Sequence, residues 1–163
     1  MTSEEWNSDL RAYNSGPISS GLIDGNHCRA RGKCVKINDP DILTEVTAAF
    51  HRYETALIGN DIETLDALFW HNEHVIRYGA NENLYGHNEI LAFRNSRPSQ
   101  GLARDLRRTV ITTFGSDYAT ANTEFTRDGS ERIGRQSHAW ARLPEGWRIV
   151  AAHVSLMNPQ SSF

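Results

Sequence analysis

Residues 106–157 read LRRTVITTF GSD YATANTEFT RDGSER IGRQSHAWARL PEG WRIVAAHVSLM, and this stretch decides the fold. Leu106 to Phe114, Tyr118 to Thr126, Ile133 to Leu143 and Trp147 to Met157 are rich in threonine, valine, isoleucine and aromatic residues. Such side chains suit a pleated, half-buried surface, so each segment predicts a strand. Between them stand Gly115-Ser116-Asp117, Asp128-Gly129-Ser130 and Pro144-Glu145-Gly146, residue types that favour tight turns. Long strands joined by tight turns make an antiparallel meander.

Upstream the hydrophobic period changes from 2 to 3.6. Asn38-Asp39-Pro40 signals a helix start, with Asp39 as the cap and Pro40 at the first helical position. Leu43, Val46, Phe50, Tyr53 and Leu57 form the apolar stripe, and Gly59 is the expected stop. Asp61 can cap a second, shorter helix that buries Ile62, Leu65, Leu68 and Phe69. His74 to Tyr78 predicts a short strand and Gly86 to Arg97 a third helix, with Ile90 and Phe93 inward and Pro98 as its limit. Helices first and a meander last predict an α+β fold in which helices cover one face of the sheet.

The chain has 163 residues, 39% of them hydrophobic, with a formal charge of −3. That balance argues against nucleic-acid binding as the main task. No apolar run approaches the roughly 20 residues that span a bilayer. The polar, acidic start from Met1 to Leu10 does not resemble a secretion signal, so a cytoplasmic protein is expected. Residues 1–36 are turn-rich and apolar-poor, which predicts a mobile or partner-docking extension, a folded domain at 37–157 and a tail at 158–163. The spacing of Cys28 and Cys34 matches no standard zinc knuckle. Residues 37–163 carry 12 basic and 16 acidic residues.

Arginine supplies 15 of the 17 basic residues, and its rigid fork grips carboxylates at two points where lysine does not. Codon bias alone would also produce this count. His71 and His74 stand three apart, but they bridge a helix end and a strand start with no obvious third ligand, so neither a metal nor another cofactor is expected. Phosphate-binding glycine loops, nucleophile elbows and Cys–His pairs at recognisable spacing are absent.

The element order is similar to the cone-shaped nuclear-transport-factor-2-like (NTF2-like, or SnoaL-like) fold. Within it, EVTAAFHRYETAL at 45–57, LFW at 68–70, RYG at 77–79, ENLYG at 82–86 and FR at 93–94 carry a closer resemblance. So do LRRTVITT at 106–113, IGRQS at 133–137 and GWRIVAAHVS at 146–155. Over about residues 37–157 the chain resembles the AtzH-like family, which includes the oxalurate-catabolism protein HpxZ. The resemblance implies ureide and s-triazine nitrogen catabolism. It points to a cofactor-free hydrolase or decarboxylase that takes 1,3-dicarboxyurea to allophanate, or acts on an oxalurate-pathway intermediate. The substrate would be a small dianion, and an amidase-signature hydrolase a possible partner. The family's pocket falls on Tyr53, as proton donor, and Arg77, as carboxylate anchor.

Other polar residues are candidates for the same cavity. Arg77 is weighed against a plain ion pair with Glu54, Glu82 or Glu124, and Tyr53 against a packed core role. Trp70 is a candidate to close the pocket mouth, and Asn83 to offer an amide to a carboxylate. His153 shares a predicted strand face with Trp147, Ile149 and Ala151. Arg135 and Gln136 alternate, so one of them at most faces the cavity; Arg135 is taken as substrate-binding. Arg94 and Arg97, three apart, read as a solvated helix face. Two other function classes remain: an accessory module partnering an amidase-signature hydrolase, and an isomerase or dehydratase, which would need a carboxylate base inside the cone. The outer face of the meander predicts a homodimer.

Overall fold

Asp39 opens the folded unit as the sequence dictates: its carboxylate accepts from the Asp41 N–H at 3.1 Å, and Pro40 begins helix α1 (Pro40–Ile58). In this computed structural model residues 34–158 are described. The expected extension and tail therefore lie almost wholly outside the described residues. The chain divides into units Met1–Val35 and Lys36–Phe163, and the architecture below is that of the second.

Helix α1 buries Val46, Phe50, Tyr53 and Leu57 of the stripe read from the sequence, together with Ala56 and Glu54, while Leu43 of that stripe is half-buried. Gly59 follows with an ordinary helical φ of −75°. It is Asn60, at φ 51°, that turns the chain in the left-handed region. Asp61 then caps helix α2 (Ile62–Leu68) by accepting from the Thr64 N–H at 3.0 Å.

Strand β1 (Ile76–Tyr78) and strand β2 (Asn83–Tyr85) form an antiparallel hairpin before helix α3 (Gly86–Ser96). The sequence predicts no strand where β2 lies, because three residues are too few to show a period. The meander comprises β3 (Asp105–Phe114), β4 (Tyr118–Thr126), β5 (Gly134–Leu143) and β6 (Gly146–Leu156). The sheet order is β2-β1-β6-β5-β4-β3, antiparallel except where β1 joins β6. This six-stranded curved sheet and three helices are the expected α+β fold.

Two irregularities reset the faces of the sheet. In β3 the register shifts between Arg107 and Val110, around Arg108 at φ 47°. In β6, Ala139 pairs Ala151 while Trp140 pairs Ile149, so Val150 is the extra residue of a bulge. Trp140, Phe50, Phe69, Leu65 and Ile149 fill the space between sheet and helices and are almost fully buried. Among the described residues no helix is long and apolar enough to cross a membrane.

Candidate active site

The interior of the sheet is unusually polar where β5 faces α1 and α3. Alternation along β5 turns Gln136, His138 and Trp140 inward, while Arg135 and Ser137 are exposed. From α1 come Tyr53 and Glu54, from α3 Arg94, from β1 Arg77, and from the connection before β3 Arg104.

Three of these groups form a closed network. Arg104 donates to both Glu54 oxygens, at 2.6 and 2.7 Å from Nη2, and to Gln136 Oε1 at 2.9 Å. Gln136 Nε2 donates back to Glu54 Oε1 at 2.8 Å. The Arg104 guanidinium also lies 4.5 Å from the Phe125 ring centroid. Buried charges are tolerable only when paired and fully hydrogen-bonded in this way.

Arg94 is different. It is 2% exposed, forms no ion pair among the described residues, and makes one long hydrogen bond, Nη2 to the Tyr53 hydroxyl at 3.3 Å. Its Nε and Nη1 have no hydrogen-bond partner among those residues. Arg97 nearby donates to Asn60 Oδ1 at 3.1 Å, and its Nε is likewise buried without a partner. Burial, and then the charge of Arg94, lowers Arg97 to about 10; Tyr53 opposes the shift and Arg77 adds to it. Arg77 is buried against the Phe93 ring, 4.9 Å from its centroid, and forms an ion pair with Glu82. The region thus holds more guanidinium charge than carboxylate to meet it.

His138 completes the group. Its ring meets Tyr53 edge-on at 4.5 Å, and both its nitrogens are buried without partners. Burial holds it well below the usual imidazole range, and Arg104, Arg94 and Arg77 push it further down. A neutral imidazole therefore stands beside the phenol at pH 7. Such a set can bind a small anion with charge-assisted hydrogen bonds and offer it a phenolic proton.

The residues proposed from sequence separate into two groups. Tyr53 and Arg77 belong to the interior cluster; the ion pair weighed for Arg77 is present with Glu82. Trp70 is half-buried beside Phe69, His71, Glu145 and Arg148 on a surface hollow of about 290 Å³. Asn83 is exposed on the edge strand β2. Arg135 is also corrected: it is exposed and donates to Ser155 Oγ at 3.1 Å, and Gln136 takes the inward place. His153 is exposed because the Val150 bulge flips the face of β6, so that Ala152 points inward instead. Arg94 is no solvated residue; it lies on the same face of α3 as Ile90, four residues earlier.

Glu54, Arg94, Arg104, Gln136 and His138 were missed. Glu54 extends the apolar stripe of α1, and Gln136 and His138 share the parity of Trp140, so partial signals existed. Arg104 sits in a connection and gave none.

The architecture is shared with a nuclear transport factor 2 (NTF2-like) superfamily protein from Salmonella enterica, at 22% identity and a TM-score of 0.57 over 76% of this chain and 94% of that one. The chain therefore has the NTF2-like fold, here with a polar, arginine-rich interior. Two solved structures are more alike. A Pectobacterium atrosepticum protein of unknown function from the DUF3225 family is 66% identical, with a TM-score of 0.74 over 75% of this chain and 95% of its own. A cystatin-like-fold protein from Burkholderia xenovorans is 51% identical, with a TM-score of 0.73 over 76% and 97%. No curated protein matches the chain. The AtzH-like family profile matches residues 35–160, and the chain belongs to that family.

Proposed function

We propose that the chain is a cofactor-free hydrolase or decarboxylase for a small ureide dicarboxylate, 1,3-dicarboxyurea or an oxalurate-pathway intermediate. The observation that carries this reading is Arg94: a guanidinium 2% exposed, without a carboxylate partner among the described residues, hydrogen-bonded to Tyr53. Leaving such a charge unmet costs several kcal/mol. A dianion would meet it, and the resemblance to AtzH-like proteins supports a ureide as that dianion.

In this mechanism Arg77 and Arg94 orient the two carboxylates, and Tyr53 delivers a proton to the ureide nitrogen that bears one of them. The carbon–nitrogen bond then breaks, its electron pair stays on nitrogen, and carbon dioxide leaves with allophanate as product. The phenolate meets the Arg94 guanidinium and regains its proton from water. Orientation and one proton relay together supply roughly 3–5 kcal/mol of barrier reduction, enough for a labile N-carboxylate.

An isomerase reading is weaker. The only buried carboxylate among the described core residues is Glu54, and Arg104 and Gln136 occupy both its oxygens. The base that such chemistry needs is thus already engaged. The accessory-module reading differs from the enzyme reading in predicting no turnover.

Calorimetric titration with malonate, a stable dianion, tests the binding half. The expected result is one site per chain, weakened about 10- to 100-fold in Arg94→Met and in Arg77→Ala. Unchanged binding in both variants would remove the arginines from the site. We further propose a homodimer through the outer meander face, where Val110, Phe114 and Tyr118 are exposed. Light scattering should give about 37 kDa, twice the chain's 18.4 kDa, and a clean monomer contradicts this.

A further inference from the structure

His71 does not stand with His74, as its spacing suggested; the fold brings it to His87 instead. His87 is the second residue of α3, His71 follows the end of α2, and Asp66 lies in the last turn of α2. The two imidazoles stack with centroids 4.0 Å apart and planes inclined by 33°. Both bring Nε2 to Asp66: His87 lies 2.6 Å from Oδ1, and His71 lies 3.1 Å from the backbone carbonyl oxygen and 3.3 Å from Oδ2. His74 is turned to Glu73 at 3.8 Å.

We propose that Asp66, His71 and His87 bind one divalent transition-metal ion of the zinc class. One donor atom from each residue lies within 4.8 Å of the other two. Donors bound to zinc at about 2.0–2.1 Å stand a little over 3 Å apart, so a small rotation of partly exposed side chains closes the set. Two nitrogens and one carboxylate oxygen suit zinc, cobalt or nickel rather than magnesium or calcium. One divalent ion would meet both imidazole nitrogens and the same carboxylate.

The ion would have access and room for a further ligand. A hollow of about 480 Å³ opens over His71 and His87, and Glu73 and Glu89 on its wall add negative charge. The site shares no residue with the Tyr53 cluster, so it stands or falls independently of the ureide reading. Its three ligands come from α2, from the connection that follows it and from α3, and the ion would therefore act as a clip between those elements.

The test uses the full chain, stripped with chelator and titrated with zinc by calorimetry, and with cobalt by visible absorption. The expected result is one high-affinity ion per chain, an intense cobalt band between about 500 and 650 nm, and a zinc-induced rise in melting temperature. The His71→Ala/His87→Ala variant should bind at least 100-fold more weakly. Should that variant fold poorly, nitrogen-15 NMR of the wild-type histidines decides: Nε2 of His71 and His87 must shift on adding zinc. No wild-type binding, binding unaltered in the double variant, or shifts confined to other histidines would overturn the site.

Discussion

Tyr53→Phe is expected to lower the rate of allophanate formation by about 10²-fold while leaving the fold in place. The ring packs edge-on against His138 at 4.5 Å and near Phe69 at 6.4 Å, and phenylalanine preserves both contacts. What disappears is the hydroxyl and its 3.3 Å hydrogen bond from Arg94, at a stability cost of about 1.5–3 kcal/mol because the donor is a buried charge. The variant should therefore stay folded, melt somewhat below the wild-type temperature and show almost no activity. Carbon-13 NMR of the product reads the rate. A rate within threefold of wild type would mean that the proton does not pass through Tyr53.

Glu54→Ala should destabilise the fold strongly. Glu54 is 6% exposed and accepts four hydrogen bonds from Arg104 and Gln136. Removing it leaves the 9%-exposed Arg104 without its carboxylate, at a cost of about 3–5 kcal/mol. Glu54→Gln keeps the shape and some hydrogen bonds, and should lose less. Replacing Glu54, Arg104 and Gln136 together by aliphatic residues of similar volume should recover much of the loss, because no charge then remains buried. Urea denaturation checks all three. A loss under about 1 kcal/mol for Glu54→Ala would show that water reaches the network and screens it.

These two variants separate two uses of buried charge within one interior. Arg104 is balanced by Glu54 and ties α1 to β5 through Gln136, so its role is closed within the protein. Arg94 is not balanced: its Nη2 donates to the phenol, and its Nε and Nη1 have no hydrogen-bond partner among the described residues. Chemistry is proposed at the second and not the first for that reason.

The fold was legible because its signals are long. The α1 stripe, the caps Asp39 and Asp61, and four strands of nine to eleven residues each repeat a pattern often enough to identify. The hairpin partner β2 was not, having three residues. Tyr53 and Arg77 were reached through the family's motifs. The rest of the site escaped for physical reasons. Parity told that Arg135 and Gln136 face opposite ways, but only the neighbouring Trp140 fixes which one is inside. His153 was assigned by unbroken alternation, and one bulged residue, Val150, reversed the phase. Arg94 and Arg97 looked solvated because arginines three apart on a short helix usually are. The burial of Arg94 and the half-burial of Arg97 follow from tertiary packing that no local window contains.

The most direct measurement is carbon-13 NMR of freshly generated 1,3-dicarboxyurea with and without the wild-type protein, following allophanate, urea and bicarbonate. The account predicts allophanate formed faster than in buffer alone, with no added cofactor. A time course identical to the spontaneous reaction, in protein that binds malonate, would contradict catalysis and leave a dianion-binding module.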